Sequence, residues 1–145
     1  MKLSSRTRYG MRAMLELALE YGKDPLQIKT IANREDISNK YLEQLIAMLK
    51  SSGLVRSIRG PRGGYVLARP PAEIKLKDIF VTLEGPITTV ECLEHAEYCP
   101  NCTDCATRQI WSEIQGAILN ILESRSLLDL VEETKESKKT SQYNI

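Results

Sequence analysis

The stretch from Ile37 to Gly64, I-S-N-K-Y-L-E-Q-L-I-A-M-L-K-S-S-G-L-V-R-S-I-R-G-P-R-G-G, leaves few folds open to this chain. Ser38 is placed to cap a helix, because its hydroxyl can accept from the orphan amides of a first turn. Leu42, Leu45, Ile46 and Leu49 then recur at i, i+3, i+4 and i+7, which turns one stripe toward a core. Asn39, Lys40, Glu43, Gln44, Ala47 and Lys50 occupy the opposite face. Gly53 sits where a left-handed residue would end the helix. Leu54–Ile58 and Tyr65–Ala68 read as two strands of a hairpin, joined by Arg59-Gly60-Pro61-Arg62-Gly63-Gly64. A helix with short polar residues at its exposed start can set them against base edges in a major groove. A basic, glycine-rich turn beside it can approach phosphates or a minor groove, since glycine lets the main chain come close. Such polar residues are common on any wet helix face. The combination of helix, hairpin and two turn arginines is what predicts a winged helix-turn-helix.

The segments before and after fit that frame. Ser4 or Ser5 can cap a first helix running to about Tyr21, with Arg6, Arg8 and Arg12 near its start as candidate phosphate contacts. Gly22 to Pro25 breaks it. A short helix over Ile28–Arg34 and a tight turn at Glu35–Ile37 complete a helix-turn-helix pair. Arg69-Pro70-Pro71 ends the wing, because proline cannot donate to a ladder. Leu76, Ile79, Phe80 and Leu83 mark another helix, closed by Gly85-Pro86. A loop over residues 87–106 follows. A long helix then spans Thr107 to about Ser124, and Ser126 to Asp129 reads as a capping box for a short last helix. The expected fold is mainly α with a small β-hairpin. Residues 1–70 form the DNA-binding region, 71–86 a connecting helix and 87–106 the loop. Residues 107–131 hold the long helix and the short one, and 132–145 are expected to be a disordered tail.

The net charge of +1 hides an asymmetry. Residues 1–70 carry 13 Lys and Arg against 6 Asp and Glu, a balance of +7; residues 71–145 carry 7 against 13, a balance of −6. Only the front half suits a polyanion. No apolar run approaches the ~20 residues of a membrane span, and the first residues lack a signal-peptide core, so a cytoplasmic protein is expected. One histidine, no nucleophile elbow and no phosphate-cradling loop argue against an enzyme. The long helix, with Ile110, Ile114, Ala117, Ile118, Ile121 and Leu122 on one stripe, has more apolar face than a small domain covers. Packing against a second copy would bury it and would set two recognition helices at the spacing of a pseudo-palindromic site. Lying back across the chain's own first helix is the alternative.

All four cysteines fall in the loop, with spacings Cys92-x6-Cys99-x2-Cys102-x2-Cys105. A cytosolic chain does not normally keep structural disulfides, so these thiols read first as ligands. Soft thiolates suit zinc or an iron–sulfur cluster rather than magnesium or calcium. Spacing alone leaves zinc, iron–sulfur and bare thiol redox chemistry open. Glu91, Glu94, Glu97 and Asp104 make the setting acidic, which is expected to oppose thiolate formation.

The runs Y-L-E-Q-L at Tyr41–Leu45 and G-L-V-R-S-I-R-G-P-R-G-G-Y-V-L at Gly53–Leu67 resemble the winged-helix regulator family of IscR, NsrR and CymR, with IscR the nearest in pattern. The opening L-S-S-R-T-R-Y-G and L-E-G-P-I at Leu83–Ile87 fit it too, so the resemblance covers residues 1 to about 130. It implies a homodimeric regulator on a pseudo-palindromic duplex, with the long helix as dimer interface. It also implies a labile 2Fe–2S cluster held by Cys92, Cys99 and Cys105, and control of iron–sulfur biogenesis genes. A histidine that the family carries three places after the last cysteine is Arg108 here, which stays protonated and cannot ligate in the ordinary way. Cys102, His95 or a residue from a partner's N-terminal helix could then complete the shell. For the groove the resemblance points to Ser38, Asn39, Lys40, Tyr41, Glu43 and Gln44; for the wing, to Arg59, Gly60, Pro61, Arg62 and Gly63. Glu43 is informative, because a carboxylate near phosphates is unfavourable unless it accepts from a cytosine amino group. A small electron-transfer iron–sulfur protein is the reading from another class, and it would need neither the wing nor the basic half.

Overall fold

The structure, a computed structural model, describes residues 2–95, 97 and 104–143, except the side chains of residues 142 and 143. Three helices come first: α1 over Ser5–Leu19, α2 over Ile28–Glu35 and α3 over Asn39–Ser51. Strands β1 (Val55–Ile58) and β2 (Gly64–Leu67) follow as an antiparallel hairpin, with Val55 opposite Leu67 and Ile58 opposite Gly64. Helix α4 spans Leu76–Glu84, α5 Ala106–Ser124 and α6 Leu127–Tyr143. This is the expected winged helix-turn-helix with two further helices behind it.

Local chemistry explains the boundaries. Ser4 caps α1, its Oγ accepting from the Thr7 amide at 3.2 Å, and Ser38 does the same for α3 with the Tyr41 amide at 3.1 Å. Between α2 and α3 the chain turns through Asp36 in the left-handed region, φ 54°. A short acidic side chain tolerates this better than a branched one. Gly53, φ 79°, ends α3 as its sequence position predicts. Ser126 and Asp129 form the predicted reciprocal cap, Ser126 N–H to Asp129 Oδ2 at 2.8 Å and Asp129 N–H to Ser126 Oγ at 3.4 Å.

The core lies where α1, α2, α3 and α4 meet. Met14, Ile31, Leu42, Leu45, Leu49 and Ile79 are essentially inaccessible there. Helix α6 closes it from the C-terminal side, with Leu127 and Val131 buried and the Leu127 amide donating to the Ile74 carbonyl at 2.9 Å. So α6, not α5, packs across α1.

Two features depart from expectation. Residues 132–143 continue α6 instead of forming a disordered tail. Leu127, Leu130 and Val131 anchor the first turns against the core, and Glu and Lys of good helix propensity carry the helix outward. The wing is also fastened at its base: Leu26, just before α2, pairs with Tyr65 through N–H···O bonds of 3.0 and 2.7 Å. A Cβ on Gly64 would lie 2.4 Å from the Leu26 carbonyl oxygen, so only glycine lets these backbones meet. Gly64→Ala should therefore cost about 2 kcal/mol or more in a denaturant melt and increase amide exchange at Tyr65, because backbone rather than a flexible side chain must yield.

Candidate nucleic-acid interface and cysteine loop

The predicted reading face is on the outside of the molecule. Ser38, Asn39, Lys40, Glu43 and Gln44 are exposed, while Leu42, Leu45, Ile46 and Leu49 on the opposite face of α3 are buried. Tyr41 behaves differently. Half-buried, it meets Tyr9 of α1 edge-on with ring centroids 6.1 Å apart, and its hydroxyl lies 3.1 Å from Ser5 Oγ. It braces the start of α3 against α1. Arg8 and Arg12 stack over the other ring, 5.9 and 5.8 Å from the Tyr9 centroid, and Arg12 also reaches Glu35 at 3.4 Å. The exposed guanidiniums of α1 are therefore held beside the first turn of α3.

In the wing, Arg59, Gly60, Pro61 and Arg62 are exposed. Gly63 is buried within the turn, its amide donating to the Gly60 carbonyl at 2.9 Å. A Cβ there would sit 2.1 Å from the Ile58 carbonyl oxygen, so Gly63 shapes the turn and the two arginines face water. The Leu26–Tyr65 bridge was not evident from sequence. Its one signal was a short extended Pro25-Leu26-Gln27 segment, too brief to show a period.

Behind the reading head, Glu84 at the end of α4 reaches the start of α1. Its Oε2 accepts from the Ser4 amide at 3.3 Å, from Ser4 Oγ at 2.7 Å and from Thr7 Oγ1. The Thr7 and Ser4 hydroxyls hold this carboxyl below the usual carboxylate range.

Past Gly85 the chain enters the cysteine loop. Thr89 fixes its first part to α5, the amide donating to Gln115 Oε1 at 2.9 Å and the hydroxyl to the Trp111 carbonyl at 3.2 Å. Cys92 and Cys105 are half-buried free thiols; Cys99, with Cys102, lies outside the described residues. Cys105 is the N-cap residue of α5, its Sγ 3.2 Å from Thr107 Oγ1. That hydroxyl, then the Arg108 amide, draw the thiol below its ordinary value, with the Arg108 charge adding to the effect. The acidic surroundings were expected to oppose ionisation; at Cys105 these short-range donors win. Arg108 Nη2 donates to the Cys92 carbonyl at 3.4 Å, so one residue touches the backbone at the first cysteine and acts on the thiol of the last. Its Nε is buried with no hydrogen-bond partner among the described residues. His95, another candidate fourth ligand, has its Nδ1 3.4 Å from Glu97. Among the described residues no three potential metal ligands converge.

Among the described residues, helix α5 carries an open apolar face: Ile110, Trp111, Ile114 and Ile121 are between 40% and 57% exposed, and no residue of the helix is buried. No described helix is long and apolar enough to cross a membrane.

Comparison with known proteins places these features. The model of the Rrf2 family, described as an iron-dependent transcriptional regulator, matches residues 3–133. The transcriptional regulator CymR of Bacillus subtilis is 41% identical across the whole of both chains. Its solved structure, described as that of the global cysteine regulator, superposes with a TM-score of 0.80 at 42% identity, covering 92% of this chain and 98% of that one. A structure of T. potens IscR superposes with a TM-score of 0.78 at 37% identity, covering 94% and 90%. The chain is thus similar to CymR and IscR alike, which bears out the family read from the motifs without singling out IscR within it. These relatives are regulators, not enzymes.

If Arg59 contacts phosphate, Arg59→Ala should lower the slope of log K against log salt by about 0.9, the value of one phosphate contact on duplex DNA. A salt titration of binding measures it; an unchanged slope removes Arg59 from the contact set.

Proposed function

The chain belongs to the Rrf2 family of DNA-binding transcriptional regulators, and on that premise we propose that it is a homodimer reading a pseudo-palindromic operator and sensing iron–sulfur status through a 2Fe–2S cluster. The observation that carries this reading is the continuity of the cysteine loop with α5. Cys105 stands at the N-cap position of the helix whose apolar face lies open, so a group held by the loop would act directly on the surface where a second copy would pack.

On DNA, Asn39, Lys40, Glu43 and Gln44 supply the groove contacts and Ser38 keeps them at a helix start. Arg59 and Arg62 approach the backbone from the wing, where Gly60, Pro61 and Gly63 set the turn. Tyr41 positions the reading face through its bond to Ser5. Glu43 accepts from a cytosine amino group and repels phosphate where that base is missing. Such a protein works where chromosomal DNA is, in the cytoplasm.

The donor set fits a soft iron–sulfur group. Cys92, Cys99 and Cys105 would hold it, and the lowered thiol at Cys105 favours the ligating form. When bound, the cluster would supply a redox-labile centre at the foot of α5. Arg108 supplies a cation and a backbone tie rather than a bond to iron. Iron–sulfur biogenesis genes are the fitting targets for such a sensor.

A second reading has its own support. The same lowered thiol, half-buried and free, suits direct sensing of cysteine or oxidant by the loop, and CymR is a cysteine regulator. Anaerobic purification with iron and sulfide analysis and a visible spectrum separates the two. Cluster chemistry predicts a chromophore that Cys92→Ala abolishes while the protein stays folded; thiol chemistry predicts no chromophore and no bound sulfide.

The dimer is tested independently. Ile114→Glu should yield a monomer in sedimentation and weaken operator binding by about a hundredfold or more, because two linked half-site contacts become one. A dimer surviving this change would move the interface away from α5.

A further inference from the structure

Three hydrogen bonds converge on one oxygen at the junction between the two halves of the molecule. Glu84 Oε2 receives the Ser4 amide, the Ser4 hydroxyl and the Thr7 hydroxyl. Thr7, at 3% exposure, is the one polar side chain among the described residues buried to core level. The contact is long-range, joining residues about 80 apart in the chain, and it places a carboxylate at the positive end of the α1 dipole. Just before it, Leu83 presses into α1 so closely that a Cβ on Gly10 would meet Leu83 Cδ1 at 2.3 Å. The end of α4 and the start of α1 are therefore tied together by these bonds and by this close packing.

Each end of that junction meets a working part of the protein. On one side Gly85, in a backbone conformation at φ 96° that favours glycine, releases the chain into the cysteine loop. On the other, the same first turn of α1 carries Ser5, bonded to Tyr41 in the first turn of α3, and Tyr9 meets the same ring edge-on one turn later. A shift of the loop that pulls on Glu84 has a route to the reading face: the Glu84 bonds to Ser4 and Thr7, the backbone of the first turn of α1, and the Ser5–Tyr41 contact. Helix α5 itself packs chiefly on α4 among the described residues, so the end of α4 is where the loop and the head meet.

We propose that Glu84 is a positioning residue that transmits the state of the cysteine loop to the recognition helix, through Ser4 and Thr7 at the start of α1. The inference rests on the reading of the loop as the sensor, but on neither the cluster nor the thiol version of it. Glu84 would touch neither DNA nor the sensed group. Its role is to make the first turn of α1 follow the loop, so that Tyr41 tilts the start of α3 differently in the two loop states. A ligand or modification can shift DNA affinity only by interacting differently with two such arrangements.

The test measures a ratio, which a purely structural residue would leave alone. A duplex selected from random sequence by the full-length protein serves as operator. Affinity is measured for reduced protein, for protein alkylated on its cysteines with iodoacetamide, and for protein reconstituted anaerobically with iron and sulfide. In the wild type, at least one treatment should change affinity about fivefold or more, the usual scale of coupling between sites. In Glu84→Ala, and in Thr7→Val, which breaks the contact from its other side, the ratio should fall to within about twofold. Hydrogen exchange at the start of α3 should respond to loop state in the wild type only. If Glu84→Ala fails to fold, Thr7→Val decides. A folded variant that keeps the wild-type ratio overturns the proposal, as does a wild type indifferent to both treatments. Failure to form a chromophore sinks the cluster reading alone, because the alkylation arm still judges Glu84.

Discussion

Helix α3 has to satisfy two surfaces at once, and the rest of the fold follows from that constraint. One stripe, Leu42, Leu45, Ile46 and Leu49, is fully buried, and the other leaves Asn39, Lys40, Glu43 and Gln44 exposed to water. Removing four such side chains from water is worth roughly 6–12 kcal/mol by area bookkeeping, an upper figure since unfolded chains are themselves partly compact. A cap such as Ser38 adds about 1 kcal/mol. The stripe therefore decides where the helix lies, and the cap decides where it begins. Rotation about its axis is what DNA reading cannot tolerate, and the Tyr41 ring, wedged against Tyr9, opposes it.

What could be read from the chain alone was what is local or periodic. The stripe of α3, the Ser38 cap, the Gly53 stop and the Ser126–Asp129 box are each set by residues within one or two turns of one another, and all stand as expected. What escaped is non-local. The Leu26–Tyr65 bridge joins single residues across 39 positions with no period to announce it. Glu84 entered the sequence reading only as part of the L-E-G-P-I run, and its partners lie near the start of the chain. The C-terminal tail shows a different blindness: Glu- and Lys-rich composition describes a solvated helix as well as a disordered segment. Packing of Leu127 and Val131 is what separates the two.

The same distinction applies to the site. The exposed polar face and the two wing arginines were legible because they belong to a local pattern, and Tyr41 was not, because its role depends on α1. In the loop, the cysteines announce soft-ligand chemistry by their spacing. The thiol of Cys105 is drawn below its ordinary value by the helix that follows, since the start of α5 sets the Thr107 hydroxyl and its amides against it.

Arg108 shows how these scales combine. A guanidinium nitrogen buried with no partner among the described residues carries a desolvation cost that its bond to the Cys92 carbonyl offsets only in part. Negative charge in the loop would offset the rest. The carboxylates Glu91, Glu94 and Glu97 are exposed and screened by water, so their pull on Arg108 is weak. At Cys105 the Thr107 hydroxyl and then the Arg108 amide draw the thiol below its ordinary value, the Arg108 charge adding least, so a short-range contact at the foot of α5 acts against what the acidic composition of the loop suggests.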